Sequence, residues 1–168
     1  MENTIINKVS ESLLTTLDLE AFTPKGEIAV FDLKAHLFMG LILKEKDFRE
    51  ALKSMDWEQY RDKLVAITCT VEAILPMWAF MLIAANLQPI AKEVIFGQEK
   101  DILPNIWIKN LSAINGKDFL DKRVVVKGCG EHPIPEVAYV EITNRLRPFV
   151  KSIMYGEPCS TVPIFKRK

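Results

Sequence analysis

Apolar positions recur along this chain with two different periods, and the switch between the periods marks out its elements. Phe48, Ala51, Leu52 and Met55 fall at helical spacing among Lys44, Glu45, Lys46, Asp47, Arg49, Glu50 and Lys53. That pattern predicts an amphipathic helix with one buried stripe. Leu64-Val65-Ala66-Ile67-Thr68-Cys69 and Arg123-Val124-Val125-Val126-Lys127-Gly128-Cys129 are short β-branched runs of the kind that parallel sheets bury. Each runs through a loop to a proline, Pro76 or Pro135, suited to the first helical position, and the helices are predicted to reach about Ala91 and Val150. Pro89 and Pro148 mark where they finish, with the preceding residues pushed out of the helical region. Glu93-Val94-Ile95-Phe96-Gly97 and Ser152-Ile153-Met154-Tyr155-Gly156 read as closing strands. A strand, a crossover helix and a second strand make a parallel unit.

The two segments are related. Residues 60–98, laid without a gap on 119–157, are identical at 11 of 39 positions, where composition alone gives about two or three. Trp107, Leu111 and Ile114 repeat the stripe of Phe48, Leu52 and Met55 at the same offset, so the pattern predicts a tandem αβαβ duplication over 44–98 and 103–157. Residues 1–43 stand outside it. Ile5, Ile6, Val9 and Leu13 suggest a short helix, and 27–33 and 37–43 suggest an antiparallel hairpin at a sheet edge. Residues 158–168, ending in Lys166-Arg167-Lys168, read as a solvated tail. The expected fold is a single α/β domain over 1–168, with a mixed, mainly parallel sheet of about six strands and helices on both faces.

Charge narrows the partners. The 22 basic and 22 acidic side chains cancel, which leaves no global field for nucleic acid or an anionic membrane, and neither is expected as a partner. The longest uncharged apolar run, Ala73 to Ala85, spans 13 residues, whereas a membrane span needs about 20. It reads as a buried helix. Helix 135–150 keeps a polar stripe of Glu141, Asn144, Arg145 and Arg147, but helix 76–91 carries Met77, Trp78, Phe80, Met81, Leu82 and Ile83 around its circumference. A helix apolar all round must be covered on all sides. Either the N-terminal 43 residues or a second subunit in a two-fold homodimer is expected to cover it, and the dimer is favoured.

Candidate chemistry gathers where the strands end, because parallel sheets bind ligands at their carboxyl edge. Cys69, Cys129 and Cys159 each end or follow a strand there, and His132 lies three residues after Cys129. Three thiols and an imidazole are the donors of a zinc or other soft-metal site. Their separations of 60 and 30 residues are not the short spacings of zinc modules, so the packing of reduced cysteines as small apolar fillers stays open beside it. Cys129, Cys159 and Glu131 are the candidate catalytic residues, a carboxylate beside a thiol serving as base or orienter, and Glu99 and Glu157 map to the same edge. The helix N-termini at Pro76 and Pro135 suit a small anion. Gly128-Cys129-Gly130 has part of the dinucleotide fingerprint but lacks its third glycine. His36 reads as a packed or surface residue. Three cysteines without a C-x-x-C, and no cationic leader before an apolar run, point to a reducing cytosol.

Phe48-Arg49-Glu50-Ala51-Leu52, Asp56-Trp57, Pro76-Met77-Trp78-Ala79, Gly128-Cys129 and Glu157-Pro158-Cys159-Ser160-Thr161-Val162-Pro163 resemble a bacterial family catalogued as domain of unknown function 2480, known mainly from Bacteroidetes. The resemblance implies a cytoplasmic protein without an assigned activity, and it carries no catalytic role to any residue. Two readings follow from the residues themselves. One is an α/β protein with a cysteine-lined thiolate or metal site, and the other is a non-enzymatic, self-associating interaction protein whose cysteines only pack in the core.

Overall fold

The computed structural model describes residues 14–128, 130 and 133–168. In chain order their elements are β1 (Leu14–Asp18), β2 (Ile28–Asp32), α1 (Glu45–Lys53), β3 (Leu64–Thr68), α2 (Met77–Leu87), β4 (Glu93–Phe96), α3 (Glu99–Ser112), β5 (Arg123–Lys127), α4 (Glu136–Leu146), β6 (Ser152–Glu157) and β7 (Ser160–Lys166). The chain divides into a central unit, Pro24–Ile106, and a terminal unit of Met1–Thr23 with Trp107–Lys168. The helix expected over Ile5, Ile6, Val9 and Leu13 lies outside the described residues. None of the helices among those residues is long and apolar enough to cross a membrane.

In place of one sheet of about six strands, the described residues form two, ordered β2-β3-β4 and β1-β5-β6-β7. The reason lies in the N-terminal segment. β2 pairs in parallel with β3, and β1 with β5, so each βαβ unit acquires a third strand of its own rather than sharing one. β3–β4 and β5–β6 are parallel as expected. The hairpin over 27–33 and 37–43 does not form: β2 takes the first segment, while Met39 and Gly40, both at positive φ, reverse the chain so tightly that only a bridge from Phe38 to Ile42 remains. The expected tail is also corrected. Residues 160–166 pair antiparallel with β6 as an edge strand, and Pro163, which lacks an N–H, sits beside the register shift at Ile153 and Met154.

The central sheet is covered on both faces, and β3 is buried along its whole length. Side chains alternate across a strand. Val65 and Ile67 pack with Phe48, Leu52, Ala79, Ile83 and Leu87, while Leu64 and Ala66 meet Ile102 and Ile106. Fully burying side chains of this size contributes about 1.5–3 kcal/mol each. In the terminal unit Val124, Val126 and Ile153 pack on Ala138, Ile142 and Leu146 of α4 and on Trp107 and Leu111 of α3.

Local geometry recurs at the sequence offset. Asp62 and Asp121 stand at φ 58° and 55°, and their N–H groups donate to Ile90 O and Phe149 O at 3.1 and 2.9 Å. α2 and α4 begin after Pro76 and Pro135, which act as caps in extended conformation. Both helices stop at Leu87 and Leu146, earlier than expected, and Gln88 and Arg147 keep helical angles instead of being pushed out of them. Gln88 and Arg147 still donate to Ala84 O and Thr143 O, so it is the missing N–H of the next residue, proline, that ends the ladder. Four 3-10 turns share one device, an Asx cap: Asp18, Asp32, Asp56 and Asn115 each accept from the backbone N–H two residues on.

Candidate functional site

At the carboxyl edge of the central sheet the sequence places a thiol and a carboxylate. Cys69 follows β3, half-buried, and its Sγ donates to the Val71 carbonyl at 3.3 Å. Asp32 ends β2 and accepts from Lys34 N at 2.9 Å, Thr70 N at 3.2 Å and the Thr70 hydroxyl at 2.5 Å. Partial burial pulls its pKa upward, but these donors outweigh it and hold the carboxyl below its ordinary value. His36 is a packed residue. Its ring stacks on Phe31 at 5.4 Å and meets the edge of Phe48, and burial pushes its pKa down.

The terminal sheet's edge is charged. Asp18, Lys127 and Glu157 come from β1, β5 and β6, and Lys127 Nζ lies 3.8 Å from the Asp18 carboxylate and 3.6 Å from that of Glu157. The glycines after β5 are there for close approach, not for a left-handed turn. A Cβ on Gly128 would fall on the Tyr139 hydroxyl, and one on Gly130 on the Glu20 carboxylate. Beside this edge, α4, β6 and β7 border an open recess of about 280 Å³, lined by Val126, Tyr139, Thr143, Met154, Tyr155 and Ile164.

Cys69 belongs to the central unit and Cys159 to the terminal unit, where it is exposed in the turn between β6 and β7. Cys129, Glu131 and His132 lie outside the described residues. Among the described residues no group of three or more His, Cys, Asp or Glu side chains is placed to hold a metal ion. Cys69 packs, partly buried, against the core of the central unit, whereas the packing alternative is corrected for Cys159, whose place in the turn between two strands leaves it exposed. Glu99 opens α3 and Glu157 closes β6, so the two carboxylates sit on different elements.

The feature that sequence reasoning placed only in part is an apolar face of the central unit. The inner stripe of α2, Ala79, Ile83 and Leu87, is fully buried, and Trp78 is half-covered, its ring 6.2 Å from Phe48 with the Arg49 guanidinium over it. The outer stripe is bare: Met77 and Met81 are 70% and 71% exposed, beside Ile74 at 80%. Ile42 bridges to Ile74, which brings the exposed turn of Phe38, Met39, Leu41 and Ile42 alongside. Phe96, 75% exposed, joins from β4 through an edge-to-face contact with Phe80 at 5.6 Å. The signal was present in the sequence as a helix apolar all round. What it lacked was which side the fold leaves open.

The model of a family described as protein of unknown function (DUF2480) matches residues 3–167, and the chain belongs to that family. No curated protein and no solved structure matches the chain.

Proposed function

We propose that this member of the family works by association, and that the apolar face of the central unit receives a second copy of the chain. The exposed Met77–Met81 stripe of α2 carries this reading, because the same helix is fully buried along its inner stripe. Together with Ile74, Phe96 and Phe38, Met39, Leu41 and Ile42 of the 38–42 turn, it exposes eight large apolar side chains, and a standard interface buries about 800 Å² per partner. The largest apolar patch of an ordinary monomer is about 300–600 Å². Methionines suit such a surface, since an unbranched, polarizable side chain repacks at low cost. A two-fold contact places the same patch on both copies and closes the assembly.

The two units are best read as copies of one duplicated module that have diverged at this face. The 59-residue offset supports it, as does the recurrence of the Asp62/Asp121 turn and of an edge-to-face ring pair, Phe80–Phe96 in one unit and Tyr139–Tyr155 in the other. The test is a dilution series followed by methionine methyl NMR. The Met39, Met77 and Met81 signals are expected to shift or broaden with concentration while Met154 stays fixed. Concentration-independent signals from all four would reject the association.

A further inference from the structure

The strand order of the terminal unit gathers cations that are far apart in sequence. β5 and β6 start at the same edge at which the antiparallel β7 ends, and the register sets Arg123 beside Ser152 and Ser152 beside Lys166. Lys151 immediately precedes that row. Between these residues lies a hollow of about 400 Å³ whose floor is apolar, formed by Leu14, Met154 and Phe165, and whose rim is Arg123, Lys151 and Lys166.

Among the described residues the neighbouring charges do not neutralise the rim. Arg167 is occupied by Asp121 at 2.6 Å and by the Phe149 carbonyl at 2.8 Å. Arg123, Lys151 and Lys166 are exposed and make no ion pair with any described residue. Three exposed cations, unpaired among the described residues, around an apolar floor select a ligand that is anionic at one end and apolar along its body. A nucleic-acid strand would instead need open aromatic faces for its bases, and the floor's one ring, Phe165, already carries the Arg147 guanidinium at 4.8 Å. The volume falls in the range of small-ligand pockets, about 300–1,000 Å³.

We propose that this hollow binds a medium-chain acyl carboxylate, with the head group held by Arg123, Lys151 and Lys166 and the chain laid over Leu14, Met154 and Phe165. The site is independent of the association face. Calorimetric titration of the full chain with decanoate tests it, beside decanol as the uncharged body, inorganic phosphate as a head group alone, and a single-stranded oligonucleotide. Decanoate is expected to bind one to one, and decanol and phosphate at least tenfold more weakly. R123Q and K151Q are each expected to weaken decanoate about tenfold, the scale of a lost charge-assisted hydrogen bond, and both side chains are exposed enough to be replaced without disturbing the fold. M154E, which puts a like charge on the floor, is expected to abolish binding. The proposal is overturned if decanoate binds R123Q and K151Q as it binds the parent chain, if decanol binds as tightly as decanoate, or if the oligonucleotide displaces decanoate. M77E should leave this titration unchanged, which separates the failure of one proposal from the failure of the other.

Discussion

Met77 and Met81 of α2 stand where α4 has Glu136 and Val140, and Phe96 of β4 stands where β6 has Tyr155. The inner stripes are alike, Ala79, Ile83 and Leu87 against Ala138, Ile142 and Leu146, all fully buried. The outer surfaces are not. Phe96 is 75% exposed on an edge strand, whereas Tyr155 is 37% exposed and pairs with Val162 of β7, a strand for which the described central unit has no counterpart. The central unit thus exposes Met77, Met81 and Phe96 where the terminal unit carries an exposed Glu136 and Val140 and a Tyr155 that β7 partly shelters. The two units therefore differ on the outside of their helices, where substitutions cost the fold least.

If the inner stripes are equivalent, removing the same atoms from each should cost the same. I83A and I142A are each expected to destabilise the protein by about 2–5 kcal/mol, since both delete a fully buried side chain. Denaturant unfolding of the two variants checks this, and a cost below about 1 kcal/mol at one position would show that its helix is not packed as described. Smaller effects are expected at the Asx caps. Asp32 holds both Lys34 N and Thr70, while Asp18 caps Glu20 N and has Lys127 only at 3.8 Å. D32A should therefore cost about 1–2 kcal/mol and D18A nearer 1, and equal losses would contradict the difference in bonding.

Acidification should also separate the units. The folded pKa of His36 lies below its ordinary 6.5, so its contribution is fully present above that pH and is lost as pH falls toward the folded value. Asp32, held below its ordinary 3.8, adds a second loss under that pH. Stability measured from pH 7 to 5 should fall in the parent and be flatter in H36Q; parallel curves would remove His36 as the cause. The smallest effects belong to helical ion pairs. Glu45–Arg49 is solvent-exposed and should show a coupling of about 0.3–0.5 kcal/mol in a double-mutant cycle. Glu141–Arg145 is more sheltered, and Arg145 also donates to Ser112 O, so its coupling should be the larger.

Much of this comparison was legible in the residues. The β-branched runs gave β3 and β5, and the prolines before Met77 and Glu136 gave the starts of α2 and α4 within a residue. Two strands were missed for identifiable reasons. Leu14–Asp18 is too short for its period to tell strand from helix end, yet Asp18-Leu19-Glu20-Ala21 and Asp32-Leu33-Lys34-Ala35 share Asp, Leu and Ala at the same positions, a sign that β1 and β2 enter matching turns. Residues 160–166 read, with the basic end Lys166-Arg167-Lys168, as a solvated tail, although Val162, Ile164 and Phe165 are apolar and an edge strand tolerates Pro163. The apolar face was only half legible, because hydropathy records that Met77, Met81 and Phe96 are apolar and not whether another element covers them. The basic hollow was invisible for the opposite reason: the last residues looked like a solvated tail until β7 carried Lys166 to the start of β6.

The association face has a direct test in M77E, which gives the central unit the residue that its counterpart carries at position 136. Sedimentation equilibrium of the parent chain and of M77E should be compared across micromolar concentrations, with far-ultraviolet circular dichroism confirming that both are folded. The parent is expected to sediment as a dimer and M77E as a monomer with unchanged secondary structure. A parent chain that stays monomeric throughout, or an M77E variant that dimerises as tightly as the parent, would contradict association through α2.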